Sequence, residues 1–160
     1  MLAAVFGDTL WDVLKSVHVL AAALWVGGNF TLNVAINLAF RARDPQRQSV
    51  ILRTAEVIGQ RIFTPLGLIV VAVGVWMVLR YDNVYDFGDF WISYGLGFFV
   101  LTLLLGAGFL GPRSKKTAEL IDSGTDPAAV AQASVPLRVV AGIDALLLWS
   151  VVVVMVVKPT

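Results

Sequence analysis

Apolar residues gather into four stretches, each long enough to cross a bilayer whose hydrocarbon core takes about 20 residues of helix. They run over about 17–40, 62–79, 91–110 and 139–157. Between the first and second lie Arg41, Arg43, Arg47, Arg53 and Arg61, and between the third and fourth lie Arg113, Lys115, Lys116 and Arg138. The middle connection, RYDNVYDFGD, sets Asp82, Asp86 and Asp89 against Arg80. Basic connections favour the cytoplasmic side, so the first and third are expected inside and both termini outside. Trp11, Trp76, Trp91, Tyr81, Tyr85 and Tyr94 then fall near the outer boundary, where interfacial aromatic side chains collect. The expected fold is all-α: residues 1–160 form a single four-helix transmembrane bundle, N-out and C-out, with helices extended into the cytoplasm.

Local signals refine the connections. Asp44-Pro45 and Asp126-Pro127 each read as an N-cap followed by proline at the first helical position, so the second and fourth helices should begin before the membrane. Ile51, Ala55, Ile58 and Ile62 recur at helical spacing and give the second helix an apolar face outside the bilayer. The third helix should run through SKKTAELIDSG to a stop at Gly124. Pro65, Pro112 and Pro136 are expected to kink their helices near the inner boundary. Ala23 with Gly27, and Ser93 with Gly97, have the spacing of close helix contacts in lipid. The two halves echo one another as two helical hairpins, the pattern of a parallel repeat.

Composition agrees with the pattern. The 160 residues are 58% hydrophobic and 14% charged, and the mean hydropathy of +0.82 lies far from that of a soluble domain. The absence of cysteine excludes disulfides, thiolate metal sites and thiol catalysis. MLAAVFGDTLWD lacks a basic leading region, so the first helix is expected to be retained. No phosphate loop, nucleophile elbow, HExxH helix or nucleic-acid motif occurs, which leaves the lipid bilayer as the expected partner and nucleic acid as none. A homo-oligomer and a larger membrane complex both stay open.

Polar groups are costly in hydrocarbon, so their positions carry the functional information. At 100° per residue His18, Trp25 and Asn29 share one line of the first helix, with Asn33 and Asn37 drifting slowly off it. Asp144 lies roughly 9 Å from Arg138 along the fourth helix, level with Asn29 or Asn33 and roughly 15 Å in depth from His18. Asp144 should therefore meet Asn29 or Asn33, as a structural clamp or as a proton- or cation-binding carboxylate of a coupled carrier. Met77 and Met155 share the depth of His18. Imidazole with thioether suits copper(I) or the axial positions of haem b, and an imidazole hydrogen-bonded near the interface is the alternative. Arg53, Glu56 and Arg61, with Gln60, lie on the cytoplasmic extension of the second helix, as a solvated face or as contacts for an anionic lipid or a partner protein.

HVLAAALWVGG at 18–28 resembles the first-helix signature of the copper-resistance protein D group, and is similar to an uncharacterised bacterial family of four-span integral membrane proteins with that opening. His18, Trp25, Gly27 and Gly28 carry the likeness, with a weaker echo in TPLGLIVVAVGVW at 64–76. Together with KSVH at 15–18 the opening is also similar to the four-helix, haem-associated protoporphyrinogen oxidase, whose further lysine and histidine have no counterpart in WISYGLGFFVLTLLLGAGFL. The resemblance implies a four-helix protein of the bacterial inner membrane. It further implies a small, non-enzymatic protein of the copper-resistance-like superfamily that supports metal or haem handling or serves as an accessory subunit, with a haem-binding oxidoreductase using His18 as the alternative.

Overall fold

The computed structural model describes residues 2–80 and 85–159, with side chains from residue 9 onward. Tyr81 and Asp82 therefore lie outside the described residues. Within them every regular element is helical: α1 (Leu2–Ala42), α2 (Pro45–Ile58), α3 (Thr64–Arg80), α4 (Phe90–Leu105), α5 (Gly111–Asp122) and α6 (Pro127–Val157). Single π-helical turns, Gly59–Phe63 and Gly106–Leu110, join α2 to α3 and α4 to α5 without a break. Four continuous helices result, Thr9–Ala42, Pro45–Arg80, Phe90–Asp122 and Pro127–Val157, each long and apolar enough to cross a membrane. At 31 to 36 residues they exceed the bilayer requirement of about 20, and α2 and α5 extend the second and third of them at the Arg-rich end.

Both π turns have one physical cause. Pro65 and Pro112 lack an N–H and would drive their rings into the carbonyls of Arg61 and Gly108 in a regular helix. Widening the preceding turn avoids that clash. The N–H of Thr64 bonds to the Gly59 carbonyl and that of Gly111 to the Gly106 carbonyl, while Thr64 Oγ1 adds a 3.0 Å bond to Gly59. The expected proline distortions at 65 and 112 thus take the form of π turns, whereas Pro136 sits within an uninterrupted α6.

The capping expectations hold unequally. Asp44 caps α2, its Oδ1 accepting from the backbone of Gln46 at 3.0 Å and Arg47 at 3.3 Å. Asp126 occupies the N-cap of α6 without a side-chain bond. Gly124, at φ +73°, takes the left-handed conformation that ends α5, where any other side chain would be strained.

Burial is concentrated at the Arg-rich end. Leu52, Ala118, Leu137 and Ile36 form a cluster among α2, α5, α6 and the end of α1, packed over by Phe40, Ile51 and Ile121. Removal from water drives that packing. Along the spans, by contrast, Leu20, Leu24, Leu104, Leu146 and Val156 face outward, as lipid-facing side chains must, because lipid tails leave no hydrophobic drive between helices.

Helix contacts in the spans use other small residues than Gly27 and Gly97. A Cβ at either of those would meet no protein atom within 4 Å, which corrects the expectation drawn from their spacing. The close approaches fall at Gly28 against Phe63, Gly67 against Phe99 and Trp25, Gly74 against His18, and Gly95 against Met155. On α1 it is Gly28, next to Gly27, that points inward, and on α4 it is Gly95 rather than Gly97.

Candidate functional site

The polar line on α1 turns toward α6 over most of its length. Asn29 Nδ2 donates to Asp144 Oδ2 at 3.0 Å, and Asn33 Nδ2 donates to the Ala141 carbonyl at 2.6 Å. Asn37 donates to the Asn33 carbonyl at 2.9 Å and accepts from Arg138 Nε at 3.0 Å. The depth argument therefore places Asp144 correctly: its partner is Asn29, while Asn33 holds the neighbouring backbone.

Two cavities lie stacked along the bundle axis. The one nearer the Arg-rich end, labelled inner for its place relative to that end, has about 420 Å³ and is lined by side chains of all four long helices, including Asn29, Glu56, Phe63, Thr102 and Asp144. The outer one, about 370 Å³, is more apolar and is lined by His18, Met77 and Met155 together with Lys15, Tyr85 and Lys158. Trp25 and Phe99 belong to both walls. Their rings meet edge to face at 6.0 Å where the two spaces adjoin.

The outer cavity thus brings together the three residues that shared only a depth in the sequence. His18 is half-buried on α1, with the backbone of Val70 beside the ring and Gly74 leaving room for its edge. Its Nδ1 is buried and has no hydrogen-bond partner among the described residues. The methyl end of Met155 fills the space over Gly95. At the rim, Trp11 stacks on Tyr85 with centroids 5.7 Å apart, and Trp91 meets Tyr85 edge-on at 5.3 Å. Lys158 Nζ lies 4.9 Å from the Tyr85 ring and 5.0 Å from the Trp91 ring, favourable cation–π placements. Lysine and aromatic side chains together form the mouth.

The inner cavity holds the strongest polar anomaly. Asp144 is only 3% exposed, and its Oδ1, like Asn29 Oδ1, is buried without a hydrogen-bond partner among the described residues. Buried polar atoms are paired as a rule, and a buried charge is expensive unless it is paired. Asp144 sits where Gly59, Gln60, Gly106 and Ala107 of the two π turns also line the wall. Such turns recur at functional sites because they re-aim the residues around them.

Arg53, Glu56 and Arg61 separate. Arg53 pairs with Asp122 of α5, whose other oxygen accepts from Ser49 Oγ at 2.6 Å. The Arg53 guanidinium first, and the Ser49 hydroxyl second, hold the Asp122 carboxyl below its ordinary value, and Asp122 in turn raises Arg53. Glu56 faces the inner cavity, and Arg61 is exposed. Sequence reasoning did not find Asp122 or the π turns; the proline signal marked the place of each turn but not its form.

Four long apolar helices around a polar seam define an integral membrane protein. The chain belongs to the DUF2269 family, described as predicted integral membrane proteins, whose model matches residues 12–159. No curated protein and no solved structure matches it.

Proposed function

We propose that this protein is a non-enzymatic, haem-handling protein of the bacterial inner membrane whose outer cavity would hold haem b, with His18 as the residue that would ligate it. The observation that carries the reading is that His18, Met77 and Met155 line one apolar cavity. The residues fit the group. Imidazole and thioether are both donors that haem iron accepts, and the lining around them is largely apolar. Lys15 and Lys158, both among the lining residues, would offer positive charge to the carboxylates of the group. When bound, haem supplies a redox-active or transferable iron; the chain's own residues bind it, exclude water from it and orient its charged edge.

The resemblance of HVLAAALWVGG to the copper-resistance group, and of KSVH to the haem-associated oxidase, supports placement in that superfamily. The positive-inside rule supports a cytoplasmic Arg-rich end with both termini outside. Arg61 and neighbouring exposed basic residues would there face anionic lipid or a partner subunit.

Copper(I) at the same His/Met set is the competing occupant. Protein purified after haem-sufficient expression should show a Soret band that is lost in His18→Ala. Colourless protein that carries stoichiometric copper, lost in His18→Ala and Met155→Leu, would replace haem by copper.

A further inference from the structure

Asn29 and Asp144 each end in two polar tips, and only one tip of each is used. Asn29 Nδ2 donates to Asp144 Oδ2 at 3.0 Å. The other two, Asn29 Oδ1 and Asp144 Oδ1, are buried and unpartnered among the described residues, and an ionised carboxyl would make both of them acceptors. Turning the Asn29 amide over does not help, since its oxygen would then stand where Nδ2 now meets Asp144 Oδ2, acceptor against acceptor. A donor is what both orphans lack.

The described neighbours do not supply it. Asn33 Nδ2, Thr64 Oγ1 and Thr102 Oγ1, which line the inner cavity with the pair, donate to the backbone carbonyls of Ala141, Gly59 and Phe99. Counter-charge is lacking as well. Among the described residues α3, α4 and α5 bring no charged side chain to that wall, α2 brings Glu56, and Arg138 of α6 turns its Nε to Asn37 Oδ1 at 3.0 Å. An ionised Asp144 would be a buried charge held by one neutral amide, which is costly. A carboxylic acid needs no counter-charge, and its O–H is the missing donor.

We propose that Asn29 and Asp144 form a proton-binding site, in which the folded protein holds Asp144 as a neutral acid at neutral pH. Oδ1 carries the proton and donates it to Asn29 Oδ1, so acid and amide are joined by two bonds in place of one and neither side chain keeps an orphan. The proton is sealed in, because both oxygens are buried, and its exchange with water requires α1 and α6 to part. Loss of the proton in alkali restores the two orphans and adds a buried charge, which makes the contact between α1 and α6 alkali-sensitive. Neither residue lines the outer cavity, so the site stands apart from the haem reading.

The test is infrared spectroscopy of the detergent-purified full chain at neutral pH. Wild type should show the C=O stretch of a protonated carboxyl, absent in Asp144→Asn and retained in Glu56→Gln. Labelling the aspartate carboxyls with a heavy carbon isotope should shift that band in wild type, which keeps the test where Asp144→Asn fails to fold. Melting temperature against pH gives a second readout. The substituted amide offers an N–H where the acid offers its O–H, so wild type and Asp144→Asn should melt together at neutral pH, with wild type falling further in alkali. No protonated-carboxyl band, a band that glutamate labelling shifts instead, or a wild type that melts below Asp144→Asn at neutral pH and catches up on acidification would each overturn the proposal.

Discussion

Asn29 and Asp144 join the first and last helices through a single bond of 3.0 Å between Nδ2 and Oδ2. Asp144 is almost fully buried, so the amide is the carboxyl's one donor among the described residues. Asn29→Leu should destabilise the bundle by about 1 to 3 kcal/mol, the cost of an orphaned buried polar group. In the double variant with Asp144→Leu neither group is left unpaired. Its loss, followed by denaturation in mixed detergent, should be smaller than the sum of the two single losses. Additive losses would mean that the two side chains do not act as a pair.

Burial at the Arg-rich end should dominate stability. Leu52 is 0% exposed, in the cluster with Ala118 and Leu137, whereas Leu146 is 73% exposed on the lipid-facing side of α6. Leu52→Ala should cost about 2 to 5 kcal/mol, as large-to-small changes in packed cores do. Leu146→Ala should stay within about 0.5 kcal/mol, as at surface positions. Unfolding curves of the two variants in one detergent make the comparison.

Acid should loosen α2 from α5. Because Arg53 and Ser49 depress the Asp122 carboxyl in the folded state, their contribution is present above the usual carboxylate value and is lost as pH falls through the lowered one. Hydrogen exchange in α2 and α5 should therefore speed up on acidification below about pH 4, beyond the change in intrinsic rate. Asp122→Asn should exchange faster at neutral pH and lose that dependence. The pair is solvent-exposed, so high salt should weaken the effect.

Adjacent glycines should respond oppositely. A Cβ at Gly28 would come within 2.7 Å of Phe63 Cε1, while one at Gly27 meets nothing within 4 Å. Gly28→Val should lower the melting temperature by several degrees through displacement of the Phe63 ring. Gly27→Val should leave it nearly unchanged. Equal effects would contradict the helix rotation described above.

Much of this arrangement was legible in the chain. Lipid tolerates so few polar groups that His18, Trp25, Asn29 and Asp144 stood out, and helical rise with 100° periodicity placed Asp144 level with Asn29 or Asn33. Asp44-Pro45 and Gly124 marked helix ends because their backbone needs are local. The rest depends on tertiary packing. Whether Gly27 or Gly28 faces a neighbour is one residue's rotation of α1, and nothing local sets that phase. The Arg53–Asp122 pair joins positions 69 apart through the side-by-side extension of α2 and α5, and the nearer Glu56 looked equally available. The cavities arise where small side chains and the widened turns fail to fill space between helices, which residue identity along one helix does not disclose.

The most direct measurement is an equilibrium titration of haem b into the purified protein in lipid nanodiscs, followed by the Soret band. Wild type should saturate at one haem per chain, with His18→Ala at least tenfold weaker and Met77→Leu or Met155→Leu shifting the spectrum without abolishing binding. Haem uptake of equal affinity in wild type and His18→Ala, or no saturable uptake at all, would contradict the assignment of the outer cavity.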